Sequence, residues 1–245
     1  MPSKKNTNQK RKKLREEIQS TLIAMGVEHW KHFSPVILSN WQIVVETLIP
    51  QYCKEKVLDT GCGDAPYFEV LQKYCSNQFM LDHTYNTDSD INIVGDLLHL
   101  PFIENSFETC ISLQVLEHVK NPFQAIDEIA RVLKVGGHLI LSVPHLSRLH
   151  EIPHDYFRYT EYGLKELMKN AGLEIVFLES TGGLFLFLGH QLSLYFMTSL
   201  WSVKFVRKPV FWINKNLITK LSIQVDKWIG HRKLFPQGYV LVAKK

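Results

Sequence analysis

The chain has 245 residues and a mass of 28.5 kDa, the size of one globular domain or of one domain with an elaborated end. With 45% apolar and 21% charged residues there is enough core material to exclude global disorder, a collagen-like fibre and a small disulfide-stapled scaffold. The net charge of +4 conceals a split: residues 1–20 carry +5, residues 201–245 carry +9 with Asp226 as their only acid, and residues 21–200 carry −10. Basic ends of this kind suit nucleic acid, an anionic lipid surface or an anionic substrate; a solvated charged face explains them equally well.

In chain order, residues 1–13 are polar and basic without periodicity and read as a disordered arm. No apolar stretch with a cleavage site follows, so no secretory signal is expected. Residues 14–52 form a helical segment by their apolar spacing, broken near Ser34-Pro35 and stopped by Pro50. Strand and helix patterns then alternate. Strands are expected at 56–62, 79–82, 91–97, 109–113, 138–143 and 173–178, with a last one in the closing GYVLVAKK. Helices are expected at 66–75, at 121–133 closed by Gly136-Gly137, and at 160–170 stopped by Gly172. This alternation predicts an α/β fold, a Rossmann-like seven-stranded sheet with helices on both faces. The sheet domain is placed at 53–180, a helical insertion at 181–236 and the final strand at 237–245.

Cys53, Cys62, Cys75 and Cys110 have neither C-x-x-C pairing nor zinc spacing, and free thiols in a reducing compartment are expected.

The sharpest local signal is VLDTGCG at 57–63, a buried strand entering a glycine turn and then a helix. Glycine there lets the backbone turn tightly and approach a ligand at the strand's carboxyl end. A dinucleotide fingerprint would place a third glycine where Pro66 stands, and no Gly-Lys-Ser/Thr follows to make a phosphate loop. Asp82 closes the second strand, where a carboxylate can accept from both hydroxyls of a ribose. Asp96 ends the third strand and could accept from an exocyclic adenine amine. Each alone could be a loop or cap carboxylate. Together with Asp59 they occupy three consecutive strand ends.

These stretches, with GDLLHLPF (95–102), SFETCISLQVLEHV (106–119) and EIARVLKVGGHLILSVPH (128–145), resemble the class I S-adenosylmethionine-dependent methyltransferases, in particular the type-11 group. The resemblance spans roughly residues 55–180 and the last strand. It implies S-adenosyl-L-methionine as cofactor, with Asp59, Gly61 and Gly63 along its methionine end, Asp82 on the ribose and Asp96 on the adenine amine. It also implies Leu97 against the adenine ring and the Leu113–Gln114 backbone near the methionine amine. The family's glycine loop often has a third glycine where this chain has Ala65.

Methyl transfer to a hydroxyl needs a general base near neutral pH. The loop after the fifth strand, 144–160, offers His145 as first choice and His154 with Asp155 as second. His150, Tyr156, Arg158 and Tyr159 of the same loop, with Glu117 and His118, are candidate acceptor-side residues; loop packing is the bland alternative for each. Glu117-His118 is similar to the pair found in metal-dependent small-RNA 2′-O-methyltransferases. Their preceding glutamate is Gln114 here, so no metal is expected.

Residues 180–203 hold no formal charge, and Leu184, Leu188, Leu192, Phe196 and Leu200 recur at helical spacing. A second helical pattern covers 209–229, with lysines and Trp212 and Trp228 interleaved. The insertion reads as a lid over the acceptor, as an interfacial pair on an anionic membrane, or as a span, which His190-Gln191 disfavours. The expectation is a cytoplasmic enzyme, possible as a peripheral membrane protein, that O-methylates a small-molecule, sugar or lipid-linked acceptor. The alternatives are an RNA methyltransferase and a non-catalytic cofactor-binding scaffold, and nucleic acid ranks behind the other partners.

Overall fold

The structure is a computed structural model that describes residues 31–84, 90, 92–201, 203–229 and 234–245. The basic arm at 1–13 and the start of the helical segment lie outside these residues. The chain divides into two compact units, Gln42–Thr181 with Pro236–Lys245, and Met1–Trp41 with Gly182–Phe235.

Helix α1 (Pro35–Ile43) begins the described part, and the helical path widens to i→i+5 bonding at Val44–Leu48 before a last turn, α2 (Ile49–Tyr52). Pro50 was expected to stop the helix; instead it sits in the first turn of α2, and the widened turn lies where a proline lacking an N–H disrupts tighter bonding.

The larger unit is built on a sheet of β1 (Lys56–Thr60), β2 (Asn77–Asp82), β3 (Ile93–Val94), β4 (Phe107–Leu113), β5 (Leu133–Pro144), β6 (Glu174–Thr181) and β7 (Gly238–Lys244), with α3 (Phe68–Leu71), α4 (Pro122–Val132) and α5 (Glu161–Asn170) between strands. The strand order is β3-β2-β1-β4-β5-β7-β6. β1 to β5 pair in parallel, while β7 runs antiparallel between β5 and β6. This is the expected seven-stranded Rossmann-like sheet. Its central strands are buried on both faces, so consecutive residues such as Val57-Leu58, Cys110-Ile111 and Leu139-Ile140-Leu141 are apolar. Leu58, Cys110, Leu139 and Leu141 from the strands join Ile126 and Ile129 of α4 and Leu164 and Met168 of α5 in one core. All four cysteines are buried free thiols.

Three further elements differ from the sequence reading. The helix expected at 66–75 is only α3, because Pro66 cannot donate and the flanking residues close tight turns, Ala65 N–H to the Cys62 carbonyl before it and Tyr74 N–H to the Leu71 carbonyl after it. The strand expected at 91–97 is only β3, because Asp96 Oδ1 accepts from the Leu98 amide and turns the chain. Gly136-Gly137 does not close α4: Leu133 is already extended and pairs with Phe107, so β5 starts at once. The glycines serve an irregularity in that strand instead, Gly136 at φ +82° and Gly137 where a Cβ would lie 2.8 Å from the Lys134 carbonyl.

The smaller unit contains α6 (Leu184–Leu200), α7 (Arg207–Ile213) and α8 (Lys220–Ile229), with a widened turn at Asn214–Thr219 joining the last two. Gly230, expected to close this pattern, lies outside the described residues. Buried Asp226 reaches from α8 to accept the Phe185 amide at 2.8 Å, capping the N-terminus of α6. Gly183 leaves room for that carboxylate, which a Cβ would strike. Asn214 is fully buried and donates to the carbonyls of His32 and Phe33. No described helix is long and apolar enough to cross a membrane.

Candidate active site

The cofactor-binding candidates gather at the carboxyl ends of β1, β2 and β4, where an open parallel sheet takes its ligands. Gly61 leaves β1 at φ +71°, and a Cβ there would lie 2.5 Å from Val115. Gly63 follows at φ +55° with open space where its Cβ would be, a cradle for an approaching ligand. Its amide donates to Asp82 Oδ2 at 2.9 Å, so the second strand's carboxylate holds the loop. Asp82 Oδ1 accepts from the amide and hydroxyl of Thr84 at 3.1 and 3.2 Å. His83 Nδ1 also approaches Oδ1, at 3.0 Å, so Oδ1 is filled and Oδ2 is the oxygen with acceptor capacity left for a ribose hydroxyl.

Ala65 stands at φ +52°, in the left-handed region. The third glycine of the family loop is therefore missing at a place that favours one. Ala65→Gly is expected to stabilise the chain by about 1 kcal/mol and to raise Tm by roughly 2–4 °C, read by differential scanning calorimetry.

Asp59 is 2% exposed, and its Oδ2 has no hydrogen-bond partner. Burial first, and the Asp82 charge second, push its carboxyl up to about 7. A cationic group beside it would restore the anion, which fits the ammonium of a bound methionine moiety. Tyr67, which the sequence reading passed over, lies close enough that burial and the Asp59 charge together push its phenol up. Asp96 is exposed and Leu97 buried. Their loop is clamped by Glu128 and Arg131 of α4: Glu128 accepts the Leu100 amide at 2.8 Å, and Arg131 donates to the Phe102 and Leu100 carbonyls. Beyond Leu113, Gln114 sits at φ +58° and donates its Nε2 to Ser142 Oγ at 3.0 Å, leaving its backbone at the β4 edge.

The acceptor-side candidates converge through the loop after β5. Tyr156 and Phe157 donate their amides to the Glu117 carbonyl at 2.8 and 3.2 Å, and the Tyr159 hydroxyl donates to the Leu116 carbonyl at 2.8 Å. These bonds seat the loop on the Leu116–His118 turn. His145 stands at the β5 end with Nδ1 2.7 Å from the Tyr159 carbonyl, which fixes the proton on Nδ1 and leaves Nε2 as the basic nitrogen.

The second choice of base is corrected. Asp155 does not pair with His154; it takes a two-pronged bond from Arg158 at 2.6 and 2.7 Å and the His150 amide at 2.8 Å. The Arg158 guanidinium holds its carboxyl down at about 2 despite burial. His154 Nδ1 instead meets the Tyr156 hydroxyl at 3.0 Å. Arg158 also donates to the carbonyls of Ser147, Arg148 and Phe157, so it packs the loop and is not poised for a substrate anion. The i,i+3 spacing of Asp155 and Arg158 was the available sign of this pairing.

Glu117 is fully buried, with both carboxylate oxygens lacking a hydrogen-bond partner. His118 Nε2 and His150 Nε2 approach its Oε1 at 3.8 and 3.7 Å. Burial works to lower the His150 pKa, but Glu117 and Asp155 outweigh it and raise it.

Known proteins share this fold and part of this sequence. A family model described as a methyltransferase domain matches residues 58–141. A protein of Mycolicibacterium smegmatis described as a probable S-adenosylmethionine-dependent methyltransferase is 27% identical over 158 residues, covering 59% of this chain and 60% of that protein. A tRNA (carboxymethyluridine(34)-5-O)-methyltransferase of Arabidopsis thaliana is 28% identical over 119 residues, covering 46% of this chain and 30% of that protein. The crystal structure of an S-adenosylmethionine-dependent methyltransferase from Mesorhizobium loti shares the fold, with a TM-score of 0.53 at 13% identity over 86% of this chain and 100% of that one. The chain spans 40 to 60% of the length of the first curated relatives it matches. Residues 58–141 thus match a methyltransferase domain on a Rossmann-like sheet, and S-adenosylmethionine is the cofactor named for the Mycolicibacterium and Mesorhizobium proteins.

Proposed function

We propose that this chain transfers the methyl group of S-adenosylmethionine to a hydroxyl of an amphiphilic, lipid-linked acceptor, working in the cytoplasm at an anionic membrane surface. The methyl-transfer half rests on Asp59 near the end of β1, Asp82 closing β2 and Asp96 two residues beyond β3. The bound cofactor supplies an electrophilic methyl on sulfur. His145 would take the acceptor's hydroxyl proton on Nε2 as the new C–O bond forms and the C–S bond breaks, releasing S-adenosylhomocysteine.

One observation supports the membrane half: the helical unit exposes large aromatic and aliphatic side chains among lysines. Trp228 is 93% exposed, Phe205 86% and Trp212 61%, with Leu217 and Leu221 also exposed. Lys204, Lys208, Lys220 and Lys227 lie between them, also exposed. Tryptophan and lysine interleaved in this way suit the boundary between headgroups and acyl chains. The α6 helix, at 17 residues, falls short of the roughly 20 needed to span a bilayer, in keeping with lying on a membrane and not crossing it.

The test incubates purified protein with methyl-labelled S-adenosylmethionine and a whole-cell extract, then partitions the products between organic and aqueous phases. Label in the organic phase is expected, together with co-sedimentation with vesicles containing phosphatidylglycerol that drops at least several-fold in Trp212→Ser/Trp228→Ser. Label only in an aqueous, ribonuclease-sensitive fraction would replace the lipid acceptor with RNA, the substrate class of the Arabidopsis relative. No transfer at all would favour a non-catalytic cofactor-binding scaffold.

A further inference from the structure

We propose that Glu117, His118 and His150 form a binding site for a divalent first-row transition-metal ion. The inference starts from where the ring protons must be. His118 Nδ1 lies 2.7 Å from the His154 carbonyl, so that nitrogen carries a proton and donates. His150 Nδ1 faces the Arg148 carbonyl at 3.3 Å and the Asp155 carboxylate at 3.5 Å, both acceptors, which favours a proton on that nitrogen too. Each Nε2 is then left with its lone pair, and the two point at one another across 3.1 Å. Two facing lone pairs repel.

Beside them lies the Glu117 carboxylate, fully buried and with no hydrogen bond to either oxygen. With both rings neutral and protonated on Nδ1, three electron-pair donors turn inward with no donor hydrogen among them. Leaving a buried carboxylate unpaired costs several kcal/mol, and a cation at the shared focus removes that cost together with the lone-pair repulsion.

The spacing fits a metal. Ligands bound at about 2.1 Å sit about 3.0–3.5 Å apart in octahedral or tetrahedral geometry. The three separations here are 3.1, 3.7 and 3.8 Å, which a slight inward rotation of the side chains would bring into range. All three ligand atoms lie within 4.8 Å of one another. Each imidazole donates its other nitrogen to a carbonyl or carboxylate, the outer arrangement that orients metal-bound histidines. Two nitrogens and one carboxylate suit zinc, manganese, iron(II) or cobalt(II), and leave positions open for oxygen ligands.

Gln114, whose neutral amide weighed against a metal in the sequence, is not part of the cluster, since its side chain is bonded to Ser142 Oγ. The third donor is His150, 32 residues beyond His118 and brought to it by the loop that Tyr156, Phe157 and Tyr159 fasten to the Glu117 turn.

The test is cobalt(II) chloride titrated into the full chain after dialysis against a chelator, followed by visible d–d absorption and by calorimetry. Saturation at one equivalent is expected. Glu117→Gln and His150→Ala should each weaken binding by more than the roughly 10–100-fold that loss of an outer hydrogen bond costs. His138→Gln, on β5 away from the cluster, should bind like wild type, and circular dichroism verifies folding of each variant. His150→Ala alters a loop side chain and so reports even if Glu117→Gln fails to fold. Failure of cobalt to bind at one equivalent, or binding unchanged in His150→Ala, would overturn the site and leave a shared proton as the cation between the imidazoles.

Discussion

Asp82→Ala is expected to weaken S-adenosylmethionine binding by on the order of 100-fold or more and to remove methyl transfer with it. Two effects act together. If Asp82 holds the ribose as proposed, its bonds to the hydroxyls are lost, and bonds to a charged acceptor contribute about 1.5–3 kcal/mol each. The Gly63 amide loses its acceptor at 2.9 Å, so the turn that must approach the cofactor is no longer held. Calorimetric titration with S-adenosylhomocysteine measures the loss directly. Asp82→Asn separates the two contributions: its amide oxygen can still accept from Gly63, so binding should fall less than in the alanine variant. Equal affinity of wild type and Asp82→Ala would remove Asp82 from the cofactor site.

Asp59→Asn is expected to stabilise the chain without cofactor while weakening cofactor binding. The carboxyl of Asp59 is pushed up to about 7 in the folded chain, against about 3.9 when unfolded. Between these values the folded chain holds a proton that the unfolded chain has released. Stability is therefore full below pH 4 and falls as pH rises to about 7, by on the order of 4 kcal/mol. Asparagine carries no such charge. At pH 8 the variant should melt roughly 8 °C or more above wild type, and its Tm should lose most of the decline seen in wild type between pH 4 and 7. The amide cannot balance an ammonium, so the same change should cost affinity. Stability and binding thus move in opposite directions, as a charge retained for function requires. A lower Tm for Asp59→Asn at pH 8 would contradict the account.

The candidate cofactor residues could be named from the sequence because their signals are local. A buried strand running into Gly61 and Gly63 is read in seven consecutive residues, and Asp82 and Asp96 are found by counting strand ends. Ala65 was visible as a departure from the family loop, but only its φ of +52° shows that the backbone kept the glycine-like conformation. The glycine pair at 136–137 misled because Gly-Gly after a helix has two physical uses, and only the pairing of Leu133 with Phe107 distinguishes them.

The acceptor half was much less legible. Its residues were named, but their partners depend on how one loop folds onto the Glu117 turn, through backbone bonds that composition does not encode. Asp155 was read with its neighbour His154 and proved to belong to Arg158. His150 was one histidine of several until the loop brought it against Glu117 and His118. Asp226 gave a fainter sign: a single acid in a segment of charge +9 invites the question of what it holds. The answer, the amide of Phe185 at the start of another helix, is 41 residues away.

The measurement that tests the central claim most directly is a calorimetric titration of S-adenosylmethionine into the wild-type chain at pH 6 and at pH 7.5. The account predicts saturable one-to-one binding at both, several-fold tighter at pH 7.5, because at pH 6 the cofactor's ammonium must first displace the proton from Asp59. Absence of saturable binding, or binding as tight or tighter at pH 6, would contradict it.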